Sequence, residues 1–302
     1  MSRERRAAVL SSFFAAAVLL LAATSSAQYS GSTSVDAVVA PVTVRTESGR
    51  VTSDVPPHKF HLYVDGMEVP IQDLAKEQDL PLSLGFILDS SGSMAGRKID
   101  ACRDLIMAFL EQRRSDDQLA LWTFGDDRVL ERFPFTMAWF LLPRMLETIK
   151  PWSTTALYDM IQRVPEAMER ATHPRQAAIL LTDGVDNASA ISAGEATRIA
   201  RGMSTPIYVL GIEPPPRPPE DSGVPYEEVL RLIADSSGGY YQRIPTATEM
   251  PAVVKSLLVE LSSRYILSFT TSAIGISKWR NLEVRVDGYV ASTRKGYVGT
   301  LP

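Results

Sequence analysis

The sequence predicts a doubly wound, mostly parallel α/β sheet inserted between two β-rich flanks. Three observations carry this. Between residues 82 and 262, short apolar runs alternate with amphipathic helical patterns, the signature of strands joined by helical crossovers. The first of those runs, "LSLGFILD", is continuously apolar, as expected of a strand covered on both faces. On either side the texture is β-branched and alternating, without helical periodicity.

The elements follow in order. Residues 34–45, "SVDAVVAPVTVR", read as a strand. "KFHLYVDG" alternates and closes on Asp65-Gly66, a hairpin turn, with "MEVPI" returning. Residues 71–80, "IQDLAKEQDL", are polar and read as a connection. "LSLGFILD" begins the α/β region. "RKIDACRDLIMAFLEQRR" follows as a helix, with Ile99, Leu105, Ile106, Phe109 and Leu110 near a 3.6 period. "QLALWTF" is a strand, "RVLERF" an edge strand, and "MAWFLLPRMLETI" and "ALYDMIQRVPEAMER" are helices. "QAAILLTD" (strand), "SAGEATRIARGM" (helix) and "PIYVLGI" (strand) come next. "EPPPRPPEDSG" is a surface loop. "PYEEVLRLIADS" (helix), "GGYYQRI" (strand) and "TEMPAVVKSLLVELSSR" (helix) complete the α/β region. Beyond Arg264, "YILSFTT", "NLEVRVDG" and "YVASTRKGYVG" supply three more strands. A small sheet with one apolar face needs a partner surface, so residues 263–302 are expected to pair with residues 28–80 in one β-sandwich-like domain around the inserted 81–262.

The 302-residue chain carries a net charge of −4, so no global field draws it to nucleic acid or acidic membranes. Its first 27 residues combine arginines, an apolar stretch and small residues ending at Ala27, the pattern of a cleaved secretory signal peptide. The alternative is an uncleaved anchor, but the apolar stretch falls short of the ~20 residues of a spanning helix. A secreted or periplasmic location is expected, with no membrane span after cleavage. Cys102 is the single cysteine and sits in a helical apolar pattern, as a buried inert thiol would. The three histidines, His58, His61 and His173, lack the partners that would make a zinc set.

In doubly wound sheets, ligands bind outside the carboxyl ends of strands. Three polar clusters fall there: Asp89, Ser91 and Ser93 in "FILDSSGSMAG"; Thr154 and Thr155 in "WSTTALYD"; Thr182, Asp183 and Asp186 in "LLTDGVDN". Carboxylates and hydroxyls are hard oxygen donors suited to Mg²⁺, which takes octahedral oxygen ligands at ~2.1 Å. "DSSGS", "TTALYD" and "LLTDGVD" together resemble the three loops of the metal-ion-dependent adhesion site of von Willebrand factor type A domains. The resemblance covers roughly residues 82–262. It implies the ligand set Asp89, Ser91, Ser93, Thr155 and Asp183, Mg²⁺ as the ion with Mn²⁺ or Ca²⁺ as substitutes, and a protein partner whose Asp or Glu carboxylate completes the coordination. One departure is Ser153-Thr154, where many members carry glycines. The flanking "FHLYVDG" and "RKGYVG" are similar to segments of secreted bacterial proteins related to that family.

Rival chemistries fit less well. A phosphotransferase of the haloacid dehalogenase class needs a second carboxylate where Ser91 stands. "GSMAGRKI" has neither the spacing nor the hydroxyl of a P-loop. A serine hydrolase needs a histidine base and a nucleophile elbow. Capping of the first helix by Asp89 and the serines explains one oxygen, not three converging loops. The expected function is therefore metal-dependent adhesion or assembly, not enzymatic turnover. The competing class is an accessory subunit whose metal only stabilises the fold.

Overall fold

The computed structural model describes residues 35–126, 128–215, 225–272 and 278–299. The proposed signal segment and most of the proline-rich loop lie outside the described residues.

The central sheet has six strands: β5 (Leu82–Asp89), β6 (Gln118–Gly125), β7 (Arg128–Thr136), β8 (Arg175–Thr182), β9 (Ile207–Ile212) and β10 (Tyr241–Ile244). Their order is β10-β9-β8-β5-β6-β7, all parallel except the edge strand β7. Strand β7 has mostly exposed or half-buried positions, which is why its sequence reads as an edge. Helices α1 (Arg97–Gln112), α2 (Leu142–Thr148) and α6 (Met250–Ser263) cover one face; α3 (Leu157–Met168), α4 (Ala193–Gly202) and α5 (Tyr226–Ser237) cover the other. Leu84, Phe86 and Leu88 of β5 point into the first layer and Ile87 into the second. A strand buried on both faces has no position left for a polar alternation, hence the unbroken apolar run. The chain runs from β5 outward through β6 and β7, then returns to place β8 on the other side of β5. The reversal creates a crevice at the carboxyl ends of β5 and β8, where Asp89 and Thr182 lie.

The flanks form two four-stranded sheets. The first has the order β13-β1-β11-β4 and the second β14-β12-β2-β3, where β1 is Val35–Arg45, β2 Phe60–Val64, β3 Met67–Val69, β4 Asp73–Lys76, β11 Tyr265–Ser272, β12 Lys278–Val286, β13 Val290–Ser292 and β14 Gly296–Gly299. Each sheet mixes strands from both ends of the chain: β1 pairs with β11 from Val35↔Ser272 to Val42↔Tyr265, and β2 pairs with β12. One core joins them, with Val42, Leu62, Leu267 and Val284 among its members. The β2–β3 hairpin turns at Asp65 and Gly66, both at positive φ (49° and 82°), the geometry of a type I′ turn.

The structure departs from two of the sequence-based expectations. Residues 71–80 are not wholly a connection: Asp73–Lys76 form β4, an edge strand on β11. Four residues with no fully buried position leave no hydrophobic alternation to detect. "YVASTRKGYVG" is two strands, not one, because β13 pairs with β1 in one sheet and β14 with β12 in the other.

Only Arg264 separates α6 from β11. Its guanidinium is buried; Nε donates to Glu77 Oε2 (2.7 Å), and the terminal nitrogens donate to Tyr208 Oη (2.9 Å) and the Gln176 carbonyl (3.2 Å). Arg175 reaches the same Glu77 oxygen at 3.6 Å and donates to the Leu261 carbonyl. Glu260, one turn before the end of α6, pairs with Arg45 of β1. Charged groups thus knit the last helix to both sheet systems.

Candidate functional site

The site is built from three loops. The first leaves β5 at Asp89. Ser90 is pinned to β6, donating through both its amide (3.0 Å) and its hydroxyl (2.9 Å) to the Phe124 carbonyl. The Ser91 amide donates to Asp89 Oδ1 (2.9 Å), and the hydroxyls of Ser91 and Ser93 lie 3.1 Å apart. Alternation around Gly92 thus brings both hydroxyls together. Asp89 is 0% exposed, Ser91 is buried, and Ser93 opens to solvent.

The second loop, Trp152–Ala156, lies against the first. The Trp152 amide donates to the Ser90 carbonyl (2.8 Å) and the Gly92 amide to the Ser153 carbonyl (3.0 Å). Thr154 donates through its hydroxyl to Asp126 Oδ1 (2.6 Å), securing the loop beyond β6. Thr155 is buried, and its backbone is bracketed by the third loop: its amide donates to Asn187 Oδ1 (2.8 Å) and its carbonyl accepts from the amides of Asn187 and Ala188. Ser153 sits at φ +84°, a conformation that favours glycine.

The third loop follows β8. Thr182 donates its hydroxyl to Asp89 Oδ2 (2.6 Å). Asp183, 3% exposed, accepts from Lys98 Nζ at 2.8 Å. Asp186 Oδ1 accepts from the Leu157 amide (2.8 Å), capping the start of α3. Gly184, at φ +102°, passes so close to Tyr226 that a Cβ would lie 2.9 Å from its ring.

Burial pushes the Asp89 carboxyl up to about 6. The hydrogen bonds from Thr182 and Ser91 oppose this, and the negative charge of Asp183 adds to it. Burial likewise raises the Cys102 thiol, with the same two carboxylates adding to the effect, so it stays protonated and unreactive. His61 lies away from these loops, at 2.9 Å from Glu68 and 3.5 Å from Asp287. Among the described residues no group of three or more His, Cys, Asp or Glu side chains is arranged to hold a metal. The three loops carry oxygen-bearing side chains of another kind: the carboxylates of Asp89 and Asp183 and the hydroxyls of Ser91, Ser93 and Thr155.

The profile of the family described as von Willebrand factor type A domain matches residues 84–185, the span from β5 through all three loops as far as Val185. The α/β body has the von Willebrand factor type A fold. A solved structure, a von Willebrand factor type A protein from Catenulispora acidiphila, aligns with 90% of this chain and 75% of its own at 14% identity and a TM-score of 0.50. Inter-alpha-trypsin inhibitor heavy chain H3 from Bos taurus is 30% identical over 152 residues, covering 44% of this chain and 16% of the relative. The Mus musculus protein of the same name is 30% identical over 149 residues, with the same shares. The chain thus spans about one sixth of the curated relatives it matches.

Several residues that organise the three loops carry little or no local signal in the sequence. Asp126 and Asn187 work through bonds to the second loop, which only folding reveals. Lys98 reads as one more polar position of α1. Its one available signal is a positive charge in the first turn of a helix, where the macrodipole disfavours it.

Proposed function

We propose that this protein is a divalent-cation-dependent protein-binding module that works in adhesion or assembly outside the cytoplasm, its export directed by residues 1–27. Asp89, Ser91, Ser93, Thr155 and Asp183 would hold Mg²⁺, with Mn²⁺ or Ca²⁺ able to replace it. The donor set fits: hard oxygens only, two of them charged, at a crevice where a strand pair ends. The bound ion would supply an electrophilic point to which a partner's Asp or Glu carboxylate can bind. The chain's own residues orient that point: the Thr182 hydroxyl and the Ser91 amide fix the Asp89 carboxylate, and the Asn187 bracket fixes Thr155.

The observation that carries the binding reading is the rim. Trp152, in the second loop, is 56% exposed and Val185, in the third, is 38% exposed. An indole and an isopropyl group held open on the loops that bear the donors suit a protein surface, since aromatic anchors dominate interface energetics. A metal that only stabilised the fold would need no such rim, and the loops are already joined by hydrogen bonds between protein atoms. Among the described residues no histidine is hydrogen-bonded to a hydroxyl of these loops, so hydrolase or phosphatase turnover is not expected.

The test has two arms. Purified protein is melted in saturating Mg²⁺ and in EDTA; a ligand at one hundred times its Kd stabilises by about 2.7 kcal/mol, and Asp89→Ala should abolish the difference. Retention of envelope or extracellular proteins on immobilised protein should require Mg²⁺ and fall with Trp152→Ser, which leaves the melting shift intact. Equal melting in both buffers removes the metal; Mg²⁺-dependent melting with retention indifferent to both EDTA and Trp152→Ser leaves the metal structural.

A further inference from the structure

Lys98 is the second residue of α1 and lies nine residues beyond the strand that carries Asp89. Its ammonium donates to Asp183 Oδ2 at 2.8 Å, and its side chain is 20% exposed against 4% for that of Asp183. Among the described residues no other ion pair reaches either Asp89 or Asp183. Asp89 meets only neutral donors, a hydroxyl and an amide. Among the described residues the pair of buried carboxylates therefore has one contacting positive charge, and it comes from a flexible, partly exposed side chain.

The placement runs against local preference. A cation in the first turn of a helix opposes the macrodipole, and holding a four-carbon stem in one geometry costs rotamer entropy. Both costs are offset by pairing with a carboxylate that would otherwise be buried alone. A helix side chain leans toward the N-terminus of its helix, so Lys98 points back toward the strand ends. Lysine suits the role better than arginine: a single point charge with three rotatable donors can be withdrawn by bond rotation, whereas a guanidinium fork locks on.

We propose that Lys98 is a tethered counter-ion of the candidate metal site, which neutralises Asp183 when no ion is bound and competes with the divalent cation for it. This rests on the metal-binding reading above. Entry of a cation at the two carboxylates displaces the ammonium to solvent. The protein thereby keeps its loops assembled without metal and binds metal more weakly than its donor set alone would allow. Lys98 is a positioning residue, not a ligand.

The probe is Mn²⁺, titrated into the full chain and followed by the electron paramagnetic resonance signal of the free ion. The Lys98–Asp183 attraction that an entering cation must break corresponds to roughly a thousandfold in affinity at an effective dielectric of about 20, reduced toward tenfold by partial exposure and by rehydration of the freed ammonium. Lys98→Met should bind Mn²⁺ about tenfold or more tightly, while Lys98→Arg, which keeps the charge and holds it more firmly, should bind no more tightly than wild type. In EDTA, Lys98→Met should melt below wild type, because Asp183 loses its ionic partner. A lysine with a purely structural role would lower that melting temperature and leave Mn²⁺ affinity unchanged. A measurement on the unmutated protein stands beside these: the Lys98 ammonium signal in ¹⁵N-lysine spectra, protected by its bond to Asp183, should lose that protection at saturating Mg²⁺. Measurable wild-type binding with equal or weaker binding in Lys98→Met, or an ammonium signal unchanged by Mg²⁺, overturns the counter-ion role and leaves the metal reading standing. No binding by either protein into the millimolar range overturns both.

Discussion

Replacing Arg264 by methionine tests how the last helix is anchored. Arg264 is the single residue between α6 and β11, and it is 1% exposed. It holds Glu77, Tyr208 and the Gln176 carbonyl at 2.7, 2.9 and 3.2 Å. Glu77 is itself 0% exposed, and its second oxygen has no hydrogen-bond partner. Burial pushes its carboxyl above the usual range, and the attractions of Arg264 and then Arg175 work against that rise. Methionine matches the aliphatic stem but leaves Glu77 with Arg175 alone, at 3.6 Å. Removing one partner of a buried pair costs about 3–5 kcal/mol, because the other charge stays buried. For a chain of this size each kcal/mol moves Tm by roughly 2–4 °C, so a fall on the order of 10 °C is expected. Urea denaturation of wild type, Arg264→Met, Glu77→Gln and the double variant closes a double-mutant cycle. The double variant should cost clearly less than the sum of the singles, since the two groups act as a unit. A loss below about 1 kcal/mol in Arg264→Met, or strict additivity, would refute the reasoning that this pair pins α6 to the sandwich.

Two further outcomes follow from the loops. Folding raises the Asp89 carboxyl from an ordinary 3.8 to about 6, so the folded state favours the protonated form. The stability this group contributes is fully present below about pH 4 and is lost as pH rises through 6. The loss converts to about 3 kcal/mol; Asp89→Asn in EDTA should therefore be more stable than wild type by about 2 kcal/mol at pH 7.5 after losing a hydrogen bond, with no gain at pH 3.5. Urea titrations at the two pH values check this, and a variant less stable at pH 7.5 counts against it. Ser153→Gly should raise metal-free stability by about 0.5–1 kcal/mol, the relief of a left-handed serine less the added freedom of glycine in the unfolded chain; a lowered Tm would show that the serine hydroxyl matters more than its backbone.

Residues with local signals were legible in advance. The α/β alternation follows from periodicity alone, because strands buried on both faces leave unbroken apolar runs such as Leu82–Leu88. The spacing of Asp89, Ser91 and Ser93 marks a loop of oxygen donors, since every second residue turns toward the same point. The hairpin at Asp65-Gly66 is visible because its two positive φ angles demand those residue types.

What tertiary structure decided is what depends on partners distant in the chain. Strand β4 has no alternation of its own and exists because β11 lies beside it. The split of the final segment into β13 and β14 arises because its halves join different sheets. The hold of Asp126 on Thr154, of Asn187 on Thr155 and of Lys98 on Asp183 spans 28, 32 and 85 residues. Periodicity and spacing report only the surroundings a segment imposes on itself. A hydrogen bond or ion pair across such separations acquires its energy only when folding brings its two groups together, so the charge balance of the candidate site, unlike its donors, belongs to the fold.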